Sequence, residues 1–463
     1  MAIRDLALTL LLLGGLPFAL ARPFVGALFF AWLSLMNPHR LTWGFASSFQ
    51  WAQFYAIATL LGFVFMHDRK LLADSFKRLG PLAAYLVWMT VTTVFAIETS
   101  AAFFRLNEVV KILLMCFVTL CLLTTPKRII LLAVVACLSI AFYGVKGGYF
   151  TVTGGGVNRV WGPTGTVIED NNQLGTALVM TIPILYWIAL TAKRRAIQLG
   201  LYGVMLLCGA AVLGTHSRGA FLAALFMGGF LLLKSTRRGP IFLVICLAAA
   251  FALTVMPAEY WQRIETITSD EKDGSVQGRL NVWKVAFDIA NQRLVGAGFD
   301  YYEGTRAFLL YAPDLDVIRS SHSIYFQSLG EHGWIGLALF LLWWIYVWRC
   351  CARAYRRVAT HPSAATLQPL VRMIQASLVG YAVGGATVNI GYWDFPFYLA
   401  IIALAIERMA PAPQPHPAAF RNVFSPQGRP PLGVPSSAPP ASRLAIRAPG
   451  SQVDQGLTRP DPG

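Results

Sequence analysis

Charge is what this 463-residue chain has least of: only 13% of its residues are Asp, Glu, Lys or Arg, about half of the roughly 25% usual in a soluble domain. Helical stretches with one polar face are also missing, and without them a large soluble helical protein has no surface. Acidic groups are the scarcer sign, 22 against 38 basic. The excess is scattered through short connections and a C-terminal tail, whereas a nucleic-acid footprint needs it gathered on one face. Cysteine is sparse as well. Cys116, Cys121, Cys137, Cys208, Cys246, Cys350 and Cys351 all fall in apolar runs or at their basic ends, so no structural disulfide is expected. No His/Cys group has zinc spacing, and neither a phosphate-binding Gly-rich motif nor a nucleophile elbow occurs. No internal repeat is visible at a fixed period. A cleavable leader is not expected, because Gly14-Gly15-Leu16-Pro17 interrupts the first apolar run and no small-residue cleavage site follows.

Apolar residues fill the space that charge leaves: 56% of the chain is hydrophobic and the mean hydropathy is +0.56. Runs of them, many near the ~20 residues a helical span requires, occupy 6–20, 24–36, 51–66, 81–97, 112–123, 129–145, 174–190, 197–213, 220–233, 241–256, 334–348, 376–388 and 395–406. The expected fold class is all-α, a polytopic membrane protein with 12–13 transmembrane helices. The count depends on whether the first two runs, parted by Ala21-Arg22-Pro23, are two thin spans or one broken element.

Basic residues mark every second connection: Arg69, Lys70, Lys77 and Arg78; Lys127 and Arg128; Lys193, Arg194 and Arg195; Lys234, Arg237 and Arg238; then Arg349 through Arg372. Short loops rich in Lys and Arg remain cytoplasmic. The alternate connections, including 257–321 with its seven Lys/Arg against ten Asp/Glu, are therefore expected to face outward. The N-terminus is outside with thirteen spans and inside with twelve. This divides the chain into N-terminal transmembrane helices (1–256), one large outer loop with surface helices between the tenth and eleventh runs (257–333), C-terminal transmembrane helices (334–408) and a tail (409–463). The tail holds 13 of the 26 prolines and is expected to be disordered and cytoplasmic. The stretch from Tyr143 through Gly147 and Gly148 to Gly156 reads as an outward Gly-rich loop, whose glycines either turn the chain or let backbone approach a ligand.

The outward connections carry the candidate chemistry. Arg218, in Thr215-His-Ser-Arg-Gly219, stands at the outer end of an apolar run. Taken singly it reads as an interfacial arginine snorkelling to headgroups. Arg279 opens a segment whose Leu280, Trp283, Phe287 and Ala290 recur at helical spacing, which predicts a helix on the membrane surface with the arginine in its first turn. His322 follows Ser320-Ser321, two plausible N-caps, and is expected in the first turn of a helix entering the membrane, where free N–H groups favour an anion. Together, two guanidiniums suit the clamping of phosphate oxygens, and a histidine suits proton transfer near neutrality. Two other arrangements stand beside this one. Asp314-x-Asp316 has the spacing of a metal-binding pair but also reads as a Pro-started turn. Glu169-Asp170 is either a carboxylate base or an N-cap.

These residues bring a family resemblance. Thr215-His-Ser-Arg-Gly, Arg279-x-x-x-Trp283-x-x-Ala286, Gly296-Ala-Gly298-Phe299 and His322-Ser-x-Tyr-Phe-x-x-Leu-Gly-Glu331-His-Gly333, with Arg159-x-x-Gly162 and Asn171-Asn172 upstream, resemble the O-antigen ligase and polymerase superfamily. The opening and the Gly-rich stretch resemble its subgroup of O-glycosylation ligases tied to exosortase systems. The resemblance covers about 1–408 and departs from the pattern at Ser323, where the family often has asparagine. It implies a bacterial inner-membrane glycosyltransferase working on the periplasmic face, without metal or other cofactor and with inversion. The donor would be a glycan on undecaprenyl diphosphate, and the acceptor lipid A core, another glycan or a protein. Arg218 and Arg279 would hold the diphosphate, with Arg159 a further candidate, and His322 would act on the acceptor hydroxyl as general base or orienting partner. Ligase and polymerase share these blocks. A transporter of lipid-linked glycan is the alternative class, but it predicts paired half-repeats and charges near mid-membrane, whereas here the charges crowd the run ends.

Overall fold

The first two apolar runs fold as separate helices, α1 (Ile3–Ala21) and α2 (Pro23–Met36), broken at Arg22. Proline has no backbone N–H to continue the first helix, and its fixed φ suits the start of the second. The computed structural model describes residues 3–65, 69–234, 239, 274–313 and 318–409. The run 241–256, the pair Asp314 and Asp316, the stretch 257–273 of the outer loop and the tail from 410 lie outside the described residues. The remaining long helices are α3 (Trp51–Val64), α4 (Arg69–Arg78), α5 (Gly80–Val94), α6 (Thr99–Leu122), α7 (Pro126–Thr153), α8 (Asn171–Thr191), α9 (Arg195–Gly214), α10 (Arg218–Lys234), α11 (Gly274–Gln292), α12 (Ile324–Arg357), α13 (Ala364–Gly385) and α14 (Asp394–Met409). No strand occurs among the described residues. Five helices there are long and apolar enough to cross a membrane: α1, α7, α8, α9 and Ile324–Thr360. Shorter apolar helices are α2, α3 and α5. The protein is an all-α membrane protein. Large apolar side chains such as Leu206, Phe226 and Leu233 are exposed on the perimeter, as a bilayer solvent allows.

Helix α14 runs through the middle, buried from Asp394 to Glu407. A helix apolar on all sides has to be covered on all sides, and α6, α7, α12 and α13 pack around it. At its far end the buried Glu407 carboxylate meets Arg78, Arg353 and Arg357, so this buried acid is multiply paired.

Two local readings of the sequence change. The helices outrun the apolar runs: α6 begins at Thr99 and α13 at Ala364, because polar residues inside a helix are tolerated where protein partners receive them, as Asp300 receives Arg105 at 3.9 Å. The Gly-rich loop starts only at Gly154, since α7 continues through Gly147 and Gly148 to Thr153. A Cβ on Gly148 would strike the Leu207 carbonyl of α9, and one on Gly147 would come within 2.6 Å of Val160. These glycines serve close helix packing, as small residues do between membrane helices.

Candidate functional site

Several turns meet at the end where α7 finishes and α8 begins. Helix α10 starts at Arg218, and the Ser217 hydroxyl accepts from Ala220 N at 3.2 Å. Before it, His216 is left-handed (φ 52°), with Nε2 2.8 Å from Gly156 O. Val160 N donates to Gly214 O at 2.9 Å, which brings half-buried Arg159 to the end of α9. Asn171 Nδ2 donates to Thr215 O at 2.7 Å, tying α8 to the same turn. The Glu169-Asp170 pair is used structurally. Asp170 caps α8, accepting from Asn172 N at 2.9 Å, and Glu169 Oε2 accepts from Gly165 N at 2.7 Å.

His322 is not in the first helical turn and Ser320 and Ser321 are not its caps. Ser323 is the N-cap of α12, its hydroxyl accepting a long bond from Phe326 N (3.5 Å), and His322 stands one residue ahead with φ 43°. The physical reason is a set of tertiary bonds on either side. Asn389 Oδ1 accepts from Ser323 N (3.0 Å) and from the Ser321 hydroxyl (3.2 Å). Trp283 Nε1 donates to Ser321 O at 2.7 Å, and its ring stacks on Phe326 with centroids 4.7 Å apart. That stacking docks α11 on the head of α12 and sets half-buried Arg279, in the second turn of α11 instead of the first, near the histidine.

Burial holds the His322 pKa below its ordinary 6.5. The Arg279 guanidinium pushes the same way, Asp170 opposes it, and Arg319 adds to the lowering. The imidazole is therefore neutral at pH 7 and surrounded by cations that also attract an anion. Arg218 lies on the neighbouring turn: Gly219, next to it, packs on Thr387, two residues from Asn389. The structure thus brings Arg279 and Asp170 within electrostatic reach of His322, with Arg218 and Arg159 on adjoining turns. Among the described residues no cluster of three or more His, Cys, Asp or Glu side chains could hold a metal ion; Asp314 and Asp316 lie outside them.

A second polar group is buried inside the bundle. Tyr392 OH lies 2.6 Å from Glu331 Oε2 and 2.9 Å from His332 Nε2, and His332 Nδ1 lies 2.7 Å from Thr92 Oγ1. The loop 296–300 closes over it: Ala297 N and Gly298 N donate to Gly330 O and Glu331 O at 2.8 and 2.9 Å. Gly333 breaks the helix at φ 67°, ψ −171°, a region open essentially to glycine alone, and a Cβ there would meet Leu294 O. The two Gly-containing blocks of the sequence are one contact. Tyr392→Phe keeps the ring but leaves Glu331 and His332 without their shared hydroxyl. Its expected cost is about 1–3 kcal/mol, read as a lower unfolding midpoint in detergent with wild-type expression conditions.

Sequence reasoning overlooked Asn389 and Tyr392. The only signal was a polar Asn389-Ile-Gly391-Tyr392 stretch between two apolar runs, and nothing in it names a partner in Ser321 or Glu331.

The fold and these turns define a multi-pass helical membrane protein with a cationic, histidine-bearing surface at one end of the bundle. Residues 203–341, which hold Arg218, Arg279 and His322, match the family model described as O-antigen ligase. Residues 3–193, which hold Arg159 and Asp170, match a family of unknown function (DUF5935). The match over 203–341 supports placing that segment with the O-antigen ligase superfamily and, at that coarse level, supports glycosyl transfer in a membrane. No curated protein matches the chain.

Proposed function

We propose that the chain transfers a glycan from undecaprenyl diphosphate to an acceptor hydroxyl on the periplasmic face of the bacterial inner membrane. The observation that carries this reading is the placement of Arg279 beside a neutral His322, with Arg218 on the next turn. The acceptor oxygen attacks the anomeric carbon, its O–H proton passes to His322, and the bond from that carbon to the diphosphate oxygen breaks. The electron pair leaves on the diphosphate, where Arg218 and Arg279 hold the charge, with Arg159 as a further contact. One such displacement inverts the anomeric centre. A ligase and a polymerase differ here only in the acceptor, a lipid A core or protein hydroxyl in one and a glycan hydroxyl in the other.

Two guanidiniums can neutralise a leaving diphosphate as a divalent ion would. In liposomes holding purified protein, donor and acceptor, transfer is expected to persist in excess EDTA. Asp314→Asn with Asp316→Asn should keep most activity. If chelation stops turnover and Mg or Mn restores it, the metal-independent reading is wrong. If no glycan leaves undecaprenyl diphosphate with any acceptor, the transferase reading is wrong.

A further inference from the structure

His322 occupies a backbone that residues with a Cβ avoid. Such a conformation persists only when the surroundings over-determine it, and beside the Trp283 bond to Ser321 O one side chain holds both of its neighbours. Asn389, 66 residues away from Ser323 in sequence, receives the Ser323 N–H and the Ser321 hydroxyl on a single amide oxygen, so it grips both neighbours of His322. An N–H can only donate, so the oxygen of Asn389 has to face this turn. Ser321 and Ser323 are buried, which leaves their donors dependent on this acceptor. The loop that carries Asn389 is itself anchored on both sides. Thr387 packs against Gly219 at the start of α10, and Tyr392 bridges Glu331 and His332.

We propose that Asn389 is a positioning residue for His322, clamping the residues on either side of it so that the imidazole is held where the acceptor hydroxyl must approach. The proposal rests on the reading of His322 as the proton acceptor. In this role Asn389 acts through the histidine, its amide oxygen being used by Ser321 and Ser323.

Two substitutions test it. Asn389→Ala removes the shared acceptor. It is expected to lower kcat by about ten- to a hundredfold, the scale of a small misplacement of a reacting group, with the KM for donor little changed. Asn389→Asp still accepts from both serines and should recover most of kcat at alkaline pH. It also adds a carboxylate near His322. The charged groups already facing the imidazole are Arg279 from α11, Arg319 from its own segment and Asp170 from the cap of α8. A further negative charge favours the imidazolium, so the pH below which activity is lost should rise. An NMR titration of His322, assigned by its absence in His322→Ala, should shift the same way. A purely structural asparagine would lower the yield of folded protein in both variants and leave kcat per folded molecule at the wild-type value. Wild-type kcat in Asn389→Ala overturns the proposal, as does an unmoved His322 titration in Asn389→Asp. If Asn389→Ala does not accumulate, Ser321→Ala removes one of the two donors and spares the Ser323 bond; a several-fold fall in kcat supports the proposal and no fall overturns it. Should the wild type transfer nothing while the His322 titration still moves in Asn389→Asp, the transferase reading fails and the positioning role stands.

Discussion

Replacing His322 with alanine is expected to cut glycan transfer by about 10² or more, the usual scale for a proton-transfer group, while insertion and abundance stay near wild type. The turn is held through Ser321 and Ser323, not through the imidazole, and alanine removes only the ring. The pH profile follows from the direction of its shift. Burial and the Arg279 charge keep the His322 pKa below 6.5, so a reaction needing the neutral ring should be fully active at pH 7 and lose rate only as pH falls through a value below 6.5. The measurement is initial rate against pH with purified protein and lipid-linked donor. An active alanine variant removes His322 from the mechanism.

The second large effect is expected at the arginines. Arg218→Ala and Arg279→Ala should each lower transfer by about 10²–10³, the scale of losing one donor aimed at developing charge. Lysine keeps the charge but not the two-point fork, so Arg218→Lys and Arg279→Lys should fall between wild type and alanine. The two sites separate in their pH dependence. Arg279 helps depress the His322 pKa; Arg279→Ala removes that repulsion and should raise the pH at which activity is lost, and Arg279→Lys should not. Affinity for undecaprenyl diphosphate, measured on purified protein, gives the binding part alone. Affinity unchanged in both the Lys and Ala forms would mean that these arginines only snorkel to the headgroups.

Much of this molecule is legible without coordinates, and the parts that are not share a cause. Arg218 at a helix start and the helical segment bearing Arg279 follow from local pattern, because capping and 3.6-residue periodicity are properties of neighbouring residues. The first-turn placement of His322 failed for the opposite reason. Ser320, Ser321 and Ser323 are all competent caps by residue type, and the choice was made by Asn389 and Trp283 from distant segments. The glycines at 147 and 148 misled in the same way. A glycine admits a turn and a close helix crossing equally well, and only the Leu207 backbone against Gly148 distinguishes them. The amide that holds this turn reaches it from the loop at 389, 66 positions beyond Ser323.

Composition and run length were enough to make the chain an all-helical membrane protein, since hydrophobic burial in a bilayer is additive along the sequence and each span satisfies its own backbone. Tertiary structure decided which turns share a surface, which serine caps α12, and that Glu331, His332 and Tyr392 form one buried cluster. Those outcomes depend on contacts between residues tens to hundreds of positions apart, whose pairing no local free energy encodes.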